Sequence, residues 1–471
     1  MAASGSSSAP PVALGTAPGR WLLLATVLAS GMAFLDATAI TIALPAIGAE
    51  LDASLSALQW TVTGYTLALA ALILLGGSLG DRYGRRRVFL VGVAWFAVAS
   101  LLCGLAQTSG QLVAARVLQG VGGALLTPGS LALIQSSFRP VDRARAIGLW
   151  SALGGIAGLV GPFLGGLLVD AASWRLVFLL NVPLAVLVVA VCGRHLPESR
   201  SGSSGRFDVP GAVLGAAALG AVTYALIAAG EAPSRPDVAA TAVLGLLAGA
   251  GFVARERRVA DPLLPPRLFA DRQFTGANLA TFAIYGALGG FSLFLALQLQ
   301  TVLGYDATGA GAAMLPSILL ITLLSPRAGA LASRIGPRLP MTVGPVVVAA
   351  GTLWLIGVDG SRPYVVEVLP GSLLQGLGMA LTVAPLTATV LAAAPDALAG
   401  VASGVNNAVA RAAQLLAVAA LPVAVGLSGD DYARPAEFTA GFRTAMVVCA
   451  GLFVLGGAVS WFTVRADVLR G

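Results

Sequence analysis

Apolar runs of about 20 residues recur from Trp21 to Phe462, and no other feature of the chain limits its fold so strongly. A run of that length, wound as a helix, matches a bilayer core of about 30 Å. Little is left with which to coat a soluble surface. The 471-residue sequence is 57% apolar and 10% charged, against about 25% charge in an ordinary soluble domain, and its mean hydropathy is +0.88. The pattern predicts an all-α polytopic membrane protein with fourteen spans. The seventh and eighth, at 209–229 and 238–254, are short and rich in Ala and Gly.

Charge assigns the span ends to two sides. All 28 basic residues are Arg, and they gather in the loops after even-numbered spans. Arg82, Arg85, Arg86 and Arg87 lie in the first of these, Arg139, Arg143 and Arg145 in the next, and Arg334 and Arg338 in the last. The opposite loops carry Glu50, Asp52, Asp306, Asp359 and Asp431. Basic loops stay in the cytoplasm. The expectation is a multi-pass protein of the cytoplasmic membrane with both termini inside. The formal net charge of +7 is then a topology signal, because Arg dispersed over many short loops makes no nucleic-acid surface.

The opening residues are small, polar and Pro-rich, which predicts a disordered tail over 1–20 without the basic start of a removable signal peptide. Cys103, Cys192 and Cys449 fall in predicted spans, odd in number and far apart, a pattern for neither a disulfide framework nor a metal site. The sequence contains no nucleotide-binding loop, paired His or Ser–Lys constellation. Neither an ATP-driven motor nor an intramembrane enzyme is expected, and no cofactor.

Two stretches carry most of the information. The loop between the second and third spans reads Gly77-Ser-Leu-Gly80-Asp81-Arg82-Tyr-Gly84-Arg85-Arg86-Arg87. A topogenic anchor would explain its Arg cluster but not an Asp standing between glycines at a helix end, where it can pair with Arg or meet a neighbouring helix terminus. The fifth span reads Gly154-Gly155-x-x-Gly158-x-x-Gly161-Pro162-x-x-Gly165-Gly166. Its glycines form a smooth face for a neighbouring helix, and Pro162 deletes a backbone hydrogen bond and bends the helix.

These stretches resemble the major facilitator superfamily, and in particular its fourteen-span drug:proton antiporters. Supporting matches are Leu35-Asp36-x-Thr38 with Ala43-Leu44-Pro45, Trp60-x-x-x-x-Tyr65, Arg116-x-x-Gln119-Gly120, Leu299-Gln300-x-x-Leu303-Gly304 and Asn406-Asn407-x-x-x-Arg411. A second-half echo of the loop motif, Gly329 through Arg338, has Ser333 where Asp81 stands in the first. The resemblance implies two six-helix bundles, at 21–195 and 273–463. Between them lie cytoplasmic linkers and two extra transmembrane helices at 196–272, with a cytoplasmic tail at 464–471. It also implies that the Gly77–Arg87 loop is a cytoplasmic latch between the halves and that Gly158, Gly161, Pro162, Gly165 and Gly166 form the antiporter motif.

Ionisable groups inside spans are costly and by default functional. Asp36 is the only deep carboxylate, about 12 Å in at 1.5 Å per residue. Arg116 lies about 7–8 Å in, close enough in depth to reach it, and Arg411 is near the midplane of its span. Burial pushes a carboxylic acid toward its neutral form and a nearby guanidinium pushes it toward the charged one, so a modest movement can load or discharge a proton. In the family the first-span Asp and fourth-span Arg serve proton coupling. Phe34, Trp60, Tyr65, Tyr285 and Phe291, with Gln119, Gln298, Asn407 and Arg411, are candidates to line an apolar substrate path.

The expected function is proton-coupled export of a hydrophobic or amphipathic small molecule, as in antibiotic efflux. Its partners would be substrate, protons and the lipid bilayer, with no nucleic acid, and the protein would act as a monomer. Export of an endogenous metabolite such as a siderophore or amino acid is the alternative. One deep carboxylate implies about one proton per cycle and neutral or singly charged substrates.

Overall fold

The computed structural model describes residues 12–196, 198, 208–232, 235–260, 262–395, 398–429 and 431–467. The first half holds α1 (Ala17–Leu51), α2 (Leu55–Tyr83), α3 (Arg85–Gly104), α4 (Ser109–Ser137) and α5 (Pro140–Ala171). It ends with α6, which runs Arg175–Leu179, turns at Leu180 and resumes as Asn181–His195. Next come α7 (Val209–Glu231) and α8 (Pro236–Glu256). The second half holds α9 (Arg272–Leu297), α10 (Ala307–Ile335), α11 (Arg338–Trp354), α12 (Leu369–Ala392), α13 (Ala399–Ala424) and α14 (Pro435–Thr463). Among the described residues, 13 helices are long and apolar enough to cross a membrane, and the apolar stretch within α5 is the shorter Ile156–Ala171.

Each half follows one packing plan. In the first, α4 lies against α2 and α3 while α1 lies against α5 and α6. In the second, α12 lies against α10 and α11 while α9 lies against α13 and α14. The halves meet along two equivalent seams, α5 on α10 and α2 on α13. This is a parallel repeat of two helix bundles. The extra helix α7 leans on both α2 and α13, along one seam, and α8 packs on α7. Leu244, Leu246 and Leu247 of α8 consequently stay outermost, 62–68% exposed, facing hydrocarbon.

Lipid tails are as apolar as leucine, so close packing rather than hydrophobic exclusion holds such helices together. Gly120 of α4 meets the Tyr65 carbonyl of α2, and Gly344 of α11 meets the Gly378 carbonyl of α12, both where a Cβ would collide. Helix starts are capped within the chain. Ser54, Thr108, Asp271 and Asp306 accept the amide three residues on, at the beginnings of α2, α4, α9 and α10.

The ends with acidic loops are closed. There the Asp170 carboxylate of α5 accepts the Thr308 amide of α10 (2.7 Å), and Gln59 of α2 donates to the Val418 carbonyl of α13 (2.8 Å). Gln300 donates to the Ile42 carbonyl (3.1 Å) and Tyr432 to the Ala53 carbonyl (2.7 Å). Toward the Arg-rich ends the halves part around a cavity of about 580 Å³, which Thr387, Leu391 and Ser403 reach at the ends of α12 and α13. The molecule is sealed on one side and open on the other.

The two terminal segments, one expected as a disordered tail and the other as a cytoplasmic tail, are partly fixed. The Val12 amide donates to the Ser137 carbonyl and the Val12 carbonyl accepts from the Arg139 amide, and α1 starts at Ala17 behind a Thr16 cap. Residues 12–20 of the predicted disordered segment 1–20 are therefore structured, and 1–11 lie outside the described residues. At the other end Val464 is buried and the Arg465 amide donates to Gln273. Backbone pairing holds the first segment, and the Gln273 side chain with the buried Val464 holds the second.

Candidate functional site

Asp36 sits on the face of α1 turned into the first bundle and is fully buried, as is Arg116 of α4. The Arg116 guanidinium meets the Asp36 carboxylate at 2.5 Å. The pair is enclosed by further donors and acceptors. Gln119 donates to Asp36 (2.8 Å) and to Ser100 (2.8 Å), and accepts from Arg116 (2.6 Å). Asn181 of α6 donates to Asp36 (3.3 Å), and Arg116 also donates to the Thr61 carbonyl of α2 (2.9 Å). The Tyr65 ring covers the guanidinium at 4.4 Å from its centroid, a cation–π contact in a desolvated place. Five helices, α1, α2, α3, α4 and α6, thus converge on one ion pair.

The pair does not open onto the cavity. Residues 34, 37, 38 and 41 of α1 line the cavity, while Leu35, Asp36, Ala39 and Ile40 are buried on the opposite side. The 3.6-residue period makes α1 two-faced, with the cavity on one side and the ion pair on the other. Of the residues read as path-lining, Phe34, Tyr285, Phe291, Asn407 and Arg411 do line the cavity. Tyr65 and Gln119 belong to the ion-pair enclosure instead. Trp60 faces Tyr224 of α7, ring centroids 6.5 Å apart. Gln298 is buried in a π-turn that ends α9, where it donates to the Val358 carbonyl.

The glycine motif of α5 serves two neighbouring helices and the cavity. A Cβ at Gly161 would collide with Thr38 and one at Gly165 with Ala39, both on α1. A Cβ at Gly166 would collide with the Ala307 carbonyl of α10, and Gly311 of α10 answers by meeting the Pro162 carbonyl. Gly158 has nothing close and lines the cavity. The motif therefore connects the α5–α10 seam to α1, two residues from Asp36. We expect Gly166→Leu to wedge this seam apart, so that a reporter introduced as Ala310→Cys reacts several-fold faster with a membrane-impermeant thiol reagent. An unchanged labelling rate would show that the seam does not move.

The basic loop is a sharp turn. Gly84 has φ of 112°, the left-handed region that favours glycine. The Glu198 carboxylate, just past α6, occupies the space a Cβ would need and accepts the amides of Arg86 (3.1 Å) and Arg87 (3.2 Å). It caps the start of α3 and favours the dipole there. The second half repeats the device at Gly336, φ 91°, where the Ala466 carbonyl after α14 fills the same place. Asp81 pairs with Arg85 at 2.8 Å within its own loop. Gly77, Gly80 and Arg82 lie in the last turns of α2 and Arg86 in the first turn of α3, where it donates to the Gly193 carbonyl. An exposed pair of this kind contributes about 0–1 kcal/mol. Asp81→Asn should leave the protein folded and inserted yet slow transport several-fold, and normal flux in a well-expressed variant would leave the loop only a topogenic role.

The sequence pattern did not single out Asn181, Ser100, Asp170, Gly311 or Glu198. Asn181 offers one signal, an amide inside the apolar run Leu179-Leu180-Asn181-Val182. Among the described residues no group of three His, Cys, Asp or Glu could hold a metal ion.

Two packed bundles around a cavity that is closed at one end, with a buried ion pair beside it, define a secondary transporter. The model of the Major Facilitator Superfamily matches residues 26–418, and the chain belongs to that superfamily. It is 37% identical to the puromycin resistance protein of Streptomyces alboniger over 95% of this chain and 92% of that one. It is 36% identical to the methylenomycin A resistance protein of Streptomyces coelicolor, over 93% and 91%. The cephamycin export protein of Amycolatopsis lactamdurans is also 36% identical, over 92% and 91%. Among solved structures, the inward-facing bacterial homolog of the lysosomal transporter Spinster aligns with a TM-score of 0.67 at 18% identity, covering 95% of this chain and 97% of that one. A peptide transporter aligns with a TM-score of 0.70 at 15% identity, covering 98% of each.

Proposed function

We propose that this protein is a proton-coupled antiporter that exports an amphipathic antibiotic-like molecule across the cytoplasmic membrane, with both termini cytoplasmic and the monomer as the working unit. The observation that carries the reading is the sealed Asp36–Arg116 pair on a helix whose other face lines the cavity. Relatives named for antibiotic resistance and export support the substrate class.

In the state described here the cavity opens toward the Arg-rich ends, and Arg116, Gln119 and Asn181 all donate to the Asp36 side chain. Substrate entering from the cytoplasm would favour this arrangement and with it the discharged form of Asp36. Rocking of the halves about the α5–α10 seam would carry α1 along through Gly161 and Gly165 and draw Asp36 away from Arg116. A desolvated carboxylate without its cation takes up a proton, in this case from outside, while substrate leaves. Each ligand then shifts the equilibrium by its differential affinity for the two states, which is all that coupling requires.

The test is a resistance and accumulation panel in a host lacking its own pumps. Lower accumulation of antibiotics, restored by collapsing the proton gradient, is the expected result. No change for any compound, together with a secretion defect for an endogenous metabolite when the native gene is removed, would favour the metabolite exporter.

A further inference from the structure

Arg411 is the one charged side chain among the described residues that line the cavity. It is half-buried on α13 and, among the described residues, makes no ion pair and no side-chain hydrogen bond. The nearest thing to a deep counter-charge is already used, since Asp36 and Arg116 neutralise each other behind α1 with almost no exposure. The cavity wall thus carries a positive charge that nothing on the wall answers.

The surroundings of Arg411 are ordered for a head group. Asn407 and Gln414, at i−4 and i+3, share its face of α13 and also line the cavity, so two amides and a guanidinium form one donor strip. The cavity walls from α9, α10 and α12 mix apolar side chains, among them Leu288, Phe291, Ile321 and Met379, with neutral polar ones such as Ser317 and Gln375. A guanidinium does not deprotonate in a protein. When the halves close around a substrate and water is excluded, an unpaired guanidinium is costly, and an oxyanion relieves that cost through bidentate, charge-assisted bonds. A cationic substrate would meet Arg411 with no acid to offset it.

We propose that the exported molecule is an amphipathic organic monoanion, a carboxylate or ionised phenol, whose charged group is held by Arg411 with Asn407 and Gln414. The assignment rests on the exporter reading above and narrows its substrate class. It also suits the energetics of the cycle, because an anion moving out and a proton moving in shift charge in the same direction, and an interior-negative potential drives both.

The test uses the purified full chain in detergent and three fluorescent probes with one apolar body: pyrenebutyrate, its methyl ester, and pyrenebutyl-trimethylammonium. We expect the carboxylate to bind at least about tenfold more tightly than either other probe, the difference a hydrogen-bonded charge commonly makes. Arg411→Gln should erase that preference while the ester binds as before, which shows an intact cavity, and Arg411→Lys should retain part of it. Equal or tighter binding of the ester or ammonium by the wild type, or a carboxylate preference that survives Arg411→Gln, would overturn the substrate class and leave the exporter reading standing. Failure of all three probes to bind the wild type would overturn the exporter reading for amphiphiles, and the proposal with it.

Discussion

Replacement of Asp36 by Asn is expected to abolish uphill efflux while substrate binding survives. The amide is nearly the same size as the carboxylic acid and can keep contacts with Gln119 and Asn181, but it cannot release a proton. One proton entering down a potential of 100 mV supplies about 2.3 kcal/mol, which at about 1.4 kcal/mol per tenfold sustains a substrate gradient of roughly 45-fold. Proteoliposomes with a proton gradient should show that gradient with wild type and none with Asp36→Asn, while substrate equilibrates across both. A monoanionic substrate adds a second inward charge and squares the potential-driven part of that figure. A dication would carry net charge outward against the potential, so poor export of rigid dications is expected. Retained uphill transport in the variant would move proton coupling to another acid.

The second large effect is on stability. Arg116→Met leaves Asp36 buried without its cation, and breaking a buried ion pair by removing one partner typically costs about 3–5 kcal/mol. The variant should unfold in detergent at a clearly lower temperature than wild type. Adding Asp36→Leu should restore most of the loss, because replacing both charges by apolar groups is often neutral or better, yet the double variant should transport nothing. Such a result would separate the pair's contribution to transport from its effect on the fold. If Arg116→Met alone unfolds at the wild-type temperature, the pair is not a buried one in the membrane.

The spans were legible because bilayer thickness is written into sequence as run length, and even the weak pair at 209–254 appears as α7 and α8. That Arg116 could reach Asp36 was legible for the same reason, since 1.5 Å per residue converts position along a span into level, and the two side chains do meet. What could not be read was direction around the helix. Tyr65 and Gln119 are polar or aromatic residues at the right depth, but α2 and α4 turn them toward Arg116 rather than the cavity. Trp60 is turned to α7 because the extra pair leans on the seam. Asp170 stands at the end of α5, yet it caps α10 from the opposite half. Pairing between halves 137 residues apart depends on the packed arrangement, and local pattern does not encode it.

The most direct test of the account is proton release on substrate addition to the detergent-solubilised protein in weak buffer, with a carboxylate amphiphile found to be exported in the accumulation panel. If substrate favours the state in which Arg116 holds Asp36 as a carboxylate, wild type should release close to one proton per bound substrate, and Asp36→Asn should bind the same substrate and release none. Equal proton release from both proteins, or none from wild type at saturating substrate, would contradict proton coupling through Asp36.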